Sequence, residues 1–241
     1  MTVPILKFLY NSILNRQRLD QDMVGMKAKI ISHLAAGCEQ DNLMKLPLWD
    51  VPFLVIDTET TGLHPMAGDE IIWFAAVPMS GLTIEENKMY DNLVNPQVEL
   101  PLEIQELTGV RPEQLAGAPT IYTVLEQFLT LAFNRVLVGY RLDFDFRFIN
   151  LKLRRCCKTK LNHHVLDVAV LYRALHPEAS DFTLDQLVRK YDIDAAGRHT
   201  APGDALVTAK LLVILLREAA QSRNLNTLAQ LYYFLHWRAM F

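Results

Sequence analysis

The chain has 241 residues, 51% of them hydrophobic, enough for one large core with a small appended element. A formal net charge of −3 argues against a protein that coats nucleic acid indiscriminately, but leaves room for a local basic groove. Three cysteines, with Cys156 and Cys157 adjacent, make no disulfide framework. No signal peptide or run of roughly 18 apolar residues appears either, so a soluble cytoplasmic chain with reduced thiols is expected.

Residues 1–50 read as a helical N-terminal extension of two amphipathic helices, in ILKFLYNSIL and in DQDMVGMKAKIISHLAAG, the second ending at a glycine suited to a C-cap. PLWDVP marks a boundary, after which residues 51–221 follow an α/β pattern. FLVID reads as a buried strand, EIIWFAAVPMSG (70–81) as a second and LTIEENKMYDNLVNP (82–96) as a third. Their short connections make an antiparallel meander. PLEIQELTG is a short helix closed by Gly109, and TIYTVLEQFLTLAF a longer one opened by Thr120. RVLVGY (135–140) is a fourth strand leading into a helix around DFRFINLKLRR. HHVLD (163–167) is a fifth, with Asp167 placed to cap the helix VAVLYRAL. Thr183 and Gln186 form a capping box in FTLDQLVRKY. DALVTAKLLVILLREAA is a long amphipathic helix, and residues 222–241 form a C-terminal helix. The sum is a mixed five-stranded sheet, a three-strand meander plus two parallel strands, flanked by helices.

The chemistry gathers where strands end and helices begin. In FLVIDTETTG the first strand runs into Asp57 and Glu59, which point to the same side because strand side chains alternate; Gly62 allows the turn that follows. Asp145 lies where the fourth strand turns into a helix, and His199 and Asp204 where a loop enters the late helix. If the first and fourth strands are neighbours, four carboxylates converge with one histidine beside them. Such a group cannot stay ionised in isolation, and two hard divalent cations, magnesium or manganese, resolve the repulsion. A pair of such ions is the arrangement that cleaves phosphodiesters, with a near-neutral histidine as base.

Asp57-x-Glu59 in DTETTG, Asp145 in 144-FDFRF-148 and His199-x4-Asp204 in HTAPGD resemble, in order and spacing, the three motifs of the DEDDh 3′–5′ exonucleases, over about residues 50–220. The resemblance implies a ribonuclease H-like fold and a proofreading-subunit-like nuclease acting on single-stranded 3′ ends. DNA is the favoured substrate, with an RNA-directed enzyme like oligoribonuclease or RNase T as the rival. It also implies roles. Asp57, Glu59, Asp145 and Asp204 would hold two metal ions, and His199 would act as base. Thr60 and Leu107 would meet the terminal nucleotide, and Phe144 would pack on its sugar or base. The family's usual His-Asn before the second motif is replaced here by Tyr140 and Arg141. Arg141 reads equally as a phosphate contact or as a cover for the sheet edge.

The densest basic run, 147-RFINLKLRRCCKTK-160, is either a solvated helix face or a guide for the phosphate backbone, and its place beside Asp145 favours guidance. His163 and His164 carry no carboxylate spacing and read as surface or core residues. QLYYF (230–234) faintly resembles segments that dock on sliding clamps, although a helix packing on the domain or on a second copy of the chain fits its continuing apolar positions better. A polymerase, a clamp or a homodimer partner is therefore kept open for the ends of the chain.

Overall fold

The computed structural model describes residues 24–34, 40–179 and 182–238. The stretch ILKFLYNSIL and the glycine expected to cap the second helix, Gly37, lie outside them. Helical residues 24–34 (α1) are described and insert Ile30, fully buried, into the core.

Strand β1 (Pro52–Thr60) is apolar because it sits in the middle of the sheet with both faces covered. Strand β2 (Ile71–Ser80) pairs antiparallel with one edge of β1. On the other edge β5 (Val136–Gly139) pairs parallel to it, aligning Val55 with Val138, and β6 (Val165–Asp167) pairs parallel to β5. The expected third strand is divided. Two short pieces, β3 (Thr83–Ile84) and β4 (Tyr90–Leu93), both pair with β2, and a 3₁₀ turn over Glu86–Lys88 separates them. Four consecutive polar residues, Glu85 to Lys88, offer no alternating apolar side to bury, so the backbone turns instead; Lys88 pairs with Glu85 across it. The sheet therefore has six strands rather than five, in the order β3–β2–β1–β5–β6 with β4 beside β2.

Nine further helices cover the sheet among the described residues: α2 (Gln40–Met44), α3 (Leu102–Thr108), α4 (Pro112–Ala116), α5 (Ile121–Ala132), α6 (Asp143–Cys157), α7 (Val168–Leu175), α8 (Leu184–Lys190), α9 (Ala201–Arg223) and α10 (Leu228–Arg238). Alternation along β1 decides what each face meets. Phe53 and Val55 pack with Leu171 of α7 and Leu212 and Leu216 of α9. Leu54 and Ile56 pack with Phe128 of α5, Phe148 of α6 and Ile30 of α1. Gly109 closes α3 in the left-handed conformation, and Thr183 and Gln186 make the reciprocal capping box on α8. Thr120 sits at the N-cap of α5, but its hydroxyl faces that of Thr123 at 3.3 Å instead of a backbone N–H. Helix α9 starts at Ala201, three residues before Asp204, because the Thr200 hydroxyl accepts from the Gly203 N–H and Pro202 supplies a helical φ.

The segment just before β1 meets the start of α10. The Leu48 N–H donates to the Asn226 carbonyl at 2.9 Å, and the Leu228 N–H to that of Leu46 at 3.1 Å. Leu43, Leu48, Leu228 and Leu231 are buried in the core beside α9. In the segment 230–234, Leu231 is buried and Phe234 packs on that core, while Tyr233 is 66% exposed. No helix among the described residues is long and apolar enough to cross a membrane.

One member of the basic run is neither solvated nor a guide. Lys152 is buried on α6 and pairs with Glu70, which precedes β2. Lys152→Ala is expected to cost ~3 kcal/mol in chemical denaturation, because it strands a carboxylate at the edge of the core. Replacing both partners with apolar residues is expected to restore most of that loss.

Candidate active site

The C-terminal end of β1 carries the acids. Asp57 and Glu59 continue the face occupied by Phe53 and Val55, which is the face α9 covers. The first turn of α9 brings Asp204 to them, and the three residues offer oxygens lying within 4.8 Å of one another. A register shift between Glu59 and Thr60 bends the strand immediately after the second acid. Asp145, in the first turn of α6, approaches from the opposite face. It is buried and accepts a 2.6 Å hydrogen bond from Thr58 Oγ1, the side chain that points away from Asp57. The parallel pairing of β1 with β5 puts the α6 entrance beside the end of β1, so all four carboxylates share one neighbourhood, three in a cluster and Asp145 behind it.

Burial, and then the charges of Asp145, Asp204 and Glu59, push the Asp57 carboxyl well above its ordinary range. Glu59 is raised to about 7 by burial and by Asp204 and Asp145, and burial also raises Asp145 against its bond from Thr58. The repulsion is only partly met by Arg198, whose guanidinium binds Asp204 and also reaches Asp185 at 2.8 and 2.9 Å. A cluster of hard oxygen donors with charge left uncompensated fits a divalent cation of the magnesium or manganese type. A carboxyl raised from 4.5 to about 7 holds its proton more tightly folded than unfolded, so the metal-free protein loses stability as pH rises through that window. Cation binding takes the ionised form, so uptake is expected to release more protons at pH 6 than at pH 8.5. Calorimetry in two buffers of different ionisation enthalpy measures this, and no proton release at pH 6 would contradict it.

His199 stands apart from the cluster. It is exposed, with φ at 63°, and its backbone N–H donates to Asp204 Oδ1 at 3.3 Å. The Thr200 hydroxyl ties this loop to the Gly197 carbonyl at 2.6 Å. Gly203 belongs to the same turn, where any side chain would run into the Gly197 carbonyl. The three residues before Asp204 are therefore fixed by crowding as much as by helix capping.

The family model described as Exonuclease matches residues 54–212. The chain belongs to the exonuclease family. Among curated relatives, the PolC-type DNA polymerase III of Streptococcus pyogenes (serotype M12, strain MGAS2096) is 31% identical over 209 residues. That match covers 84% of this chain and 14% of the polymerase, so the chain spans about a seventh of that relative's length. Among solved structures, exonuclease X in complex with 5′ overhanging duplex DNA has a TM-score of 0.58 at 20% identity, covering 76% of this chain and 99% of that one. The nuclease domain of 3′hExo, a DEDDh family member bound to rAMP, has a TM-score of 0.59 at 21% identity, covering 70% and 92%. The fold is ribonuclease H-like, and the chain is an enzyme of the nuclease class.

Around the acids, this exonuclease places the remaining sequence candidates as follows. Thr60 is buried and its hydroxyl donates to the Gly62 carbonyl at 2.6 Å, fixing the turn after β1. Gly62 itself is needed for space, since a side chain there would meet the Asp69 carboxylate. Leu107 stands 51% exposed on α3. Phe144 is half-buried with its ring 5.1 Å from that of Phe148. Arg141 has φ at 54° and lies over the Tyr140 ring, donating to the Phe182 carbonyl at 3.4 Å. Asp167 caps α7 through Ala169 and Val170 and also accepts from the Arg141 and Leu142 N–H groups, so one carboxylate pins two helix entrances. His163 and His164 are half-buried away from the acids. Sequence reasoning missed Arg198, Asp185 and Thr58. Nothing in the spacing revealed them, although Arg198 adjoins His199.

Proposed function

We propose that the chain is a divalent-metal-dependent 3′–5′ exonuclease that hydrolyses single-stranded nucleic acid, DNA in preference to RNA, to nucleoside 5′-monophosphates. The observation that carries this reading is the gathering of Asp57, Glu59 and Asp204 oxygens within 4.8 Å, with Asp145 held behind them by Thr58.

In this reading Asp57, Glu59 and Asp204 would hold two magnesium or manganese ions, with Asp145 contributing to the second. When bound, the ions neutralise the acids, acidify the attacking water and stabilise the leaving oxygen. His199 accepts the proton of that water. Its exposed ring sits on a turn whose backbone is bonded to Asp204, so base and ligand move together. The left-handed φ at His199 is the kind of local strain that persists where geometry matters to function. Phe144 offers a face to a terminal base or sugar, Leu107 wedges against the last base, and Arg141 reaches a phosphate. Stacking of this sort tolerates any base.

A second reading is favoured by the likeness to PolC-type polymerases: the chain acts as a proofreading element within a larger replication assembly. An RNA-directed enzyme is the alternative within the nuclease class. Digestion of matched 5′-labelled DNA and RNA strands, with magnesium, with manganese and with a chelator, separates these. A ladder shrinking from the 3′ end of DNA, abolished by chelator, is expected. Faster digestion of RNA would overturn the preference, and no ladder on either strand would overturn the nuclease reading.

A further inference from the structure

Arginines from three separate segments converge at the start of α6, the helix whose first turn carries Asp145. A cleft of ≈ 890 Å³ lies between the start of α6, helix α7 and the C-terminal helix α10. Arg141, Arg147, Arg173 and Arg238 line it, and none of them makes an ion pair with another described residue. Arg173 lies over the Phe182 ring at 5.5 Å and Arg238 over the Phe234 ring at 5.8 Å, so aromatic rings hold their guanidinium groups in place while leaving their donors free. Two carboxylates share the cleft. Asp167 is occupied by four backbone N–H groups, and Asp143 is an exposed acid at the rim. Val170, half exposed, and Leu235 supply apolar floor.

The cleft does not stop at α6. Asp143 and Arg147 also line a second depression of ≈ 580 Å³, bounded by the loop Leu63–Met66 that follows β1 and by Arg154 of α6. The two depressions therefore share the start of α6, one bounded by the loop after β1 and the other by α7 and α10. A chain with a net charge of −3 has concentrated unpaired guanidinium groups along a single path.

We propose that this trough binds the phosphodiester backbone of the strand upstream of its 3′ terminus, so that α7 and α10 extend the substrate site beyond the terminal nucleotides. The proposal rests on the nuclease reading for the placement of the 3′ end, but the trough itself is tested by binding. Guanidinium groups match phosphate oxygens in fork geometry and also stack on bases, which suits a polyanion of irregular sequence. An acidic protein segment is the rival occupant. The paired features of charge for phosphate and flat aromatic or apolar surface for bases favour the strand.

The test measures fluorescence anisotropy of 5′-labelled DNA tetramers and 16-mers in magnesium, in an Asp57→Asn background that leaves the strands intact. Arg173→Glu/Arg238→Glu is expected to weaken binding of the 16-mer at least fivefold while weakening the tetramer far less. Its log–log salt slope for the 16-mer is expected to fall by about 1.4, since each lost single-strand phosphate contact removes ~0.7. Should the double reversal unfold, Arg173→Gln/Arg238→Gln poses the same question with a smaller loss. Equal losses at both lengths, no loss at all, or tighter binding of polyglutamate than of the 16-mer would overturn the proposal. If long strands bind through these arginines yet the chain with Asp57 intact hydrolyses none, the trough stands and the nuclease reading is removed instead.

Discussion

Asp57→Asn is expected to lower 3′-end hydrolysis by at least ~10³-fold and, in the same protein, to raise the thermal stability of the metal-free form. Both effects have one origin. Asp57 lies at the centre of the acid cluster, where burial and three neighbouring carboxylates oppose its ionisation. In the proposed mechanism its negative charge would recruit cations, which when bound would contribute several kcal/mol to the transition state. Without cations, the same charge is a repulsion that folding must overcome. If asparagine relieves ~1 kcal/mol of it, the melting temperature of the chelated protein rises by ~3 °C at this chain length. Thermal scans with and without manganese measure the second effect. The parent is expected to gain stability from manganese and the variant to gain almost none. A variant that melts lower than the parent in chelator would contradict the account of the cluster as a frustrated site.

His199→Ala is expected to separate chemistry from metal binding. The imidazole is exposed and lies outside the group of oxygens that converge, so its loss leaves the donor set complete. Turnover should fall by ~10²–10⁴-fold, the usual contribution of a positioned general base, while manganese affinity stays within about twofold. Because alanine also relaxes poorly at a φ of 63°, His199→Asn serves as a second variant that accepts the left-handed backbone and still lacks a base of suitable pKa. Turnover at the parent level in both would remove His199 from the reaction. A matched loss of metal binding would make it a structural anchor for Asp204.

Much of this architecture is legible in the residues themselves. Four apolar positions running into two acids read as a strand covered on both faces, and β1 is that strand. Asp167 and Thr183 announce helix starts because short polar side chains bond locally to the backbone within two or three residues. Local chemistry of this kind survives translation into sequence patterns. What does not survive is any contact made across the fold. Thr58 supports Asp145 across 87 positions, Lys152 is drawn out of a basic run by Glu70, and Arg198 folds back onto Asp204 and Asp185. The split of the third strand was hidden for a different reason: its polar interruption is visible, but only pairing of both fragments with β2 shows that the chain turns and resumes. The arginine trough was the least legible feature, since Arg141, Arg173 and Arg238 meet only after three helices have docked.

Charge gathered from three chain segments is expected to bind divalent cations at the end of β1. Anomalous scattering from crystals grown in manganese would locate them. Manganese is predicted beside Asp57, Glu59 and Asp204, whose oxygens would hold it. Crystals that hold manganese only elsewhere, or show Arg198 still seated on Asp204 at saturating manganese with no ion beside it, would contradict the account.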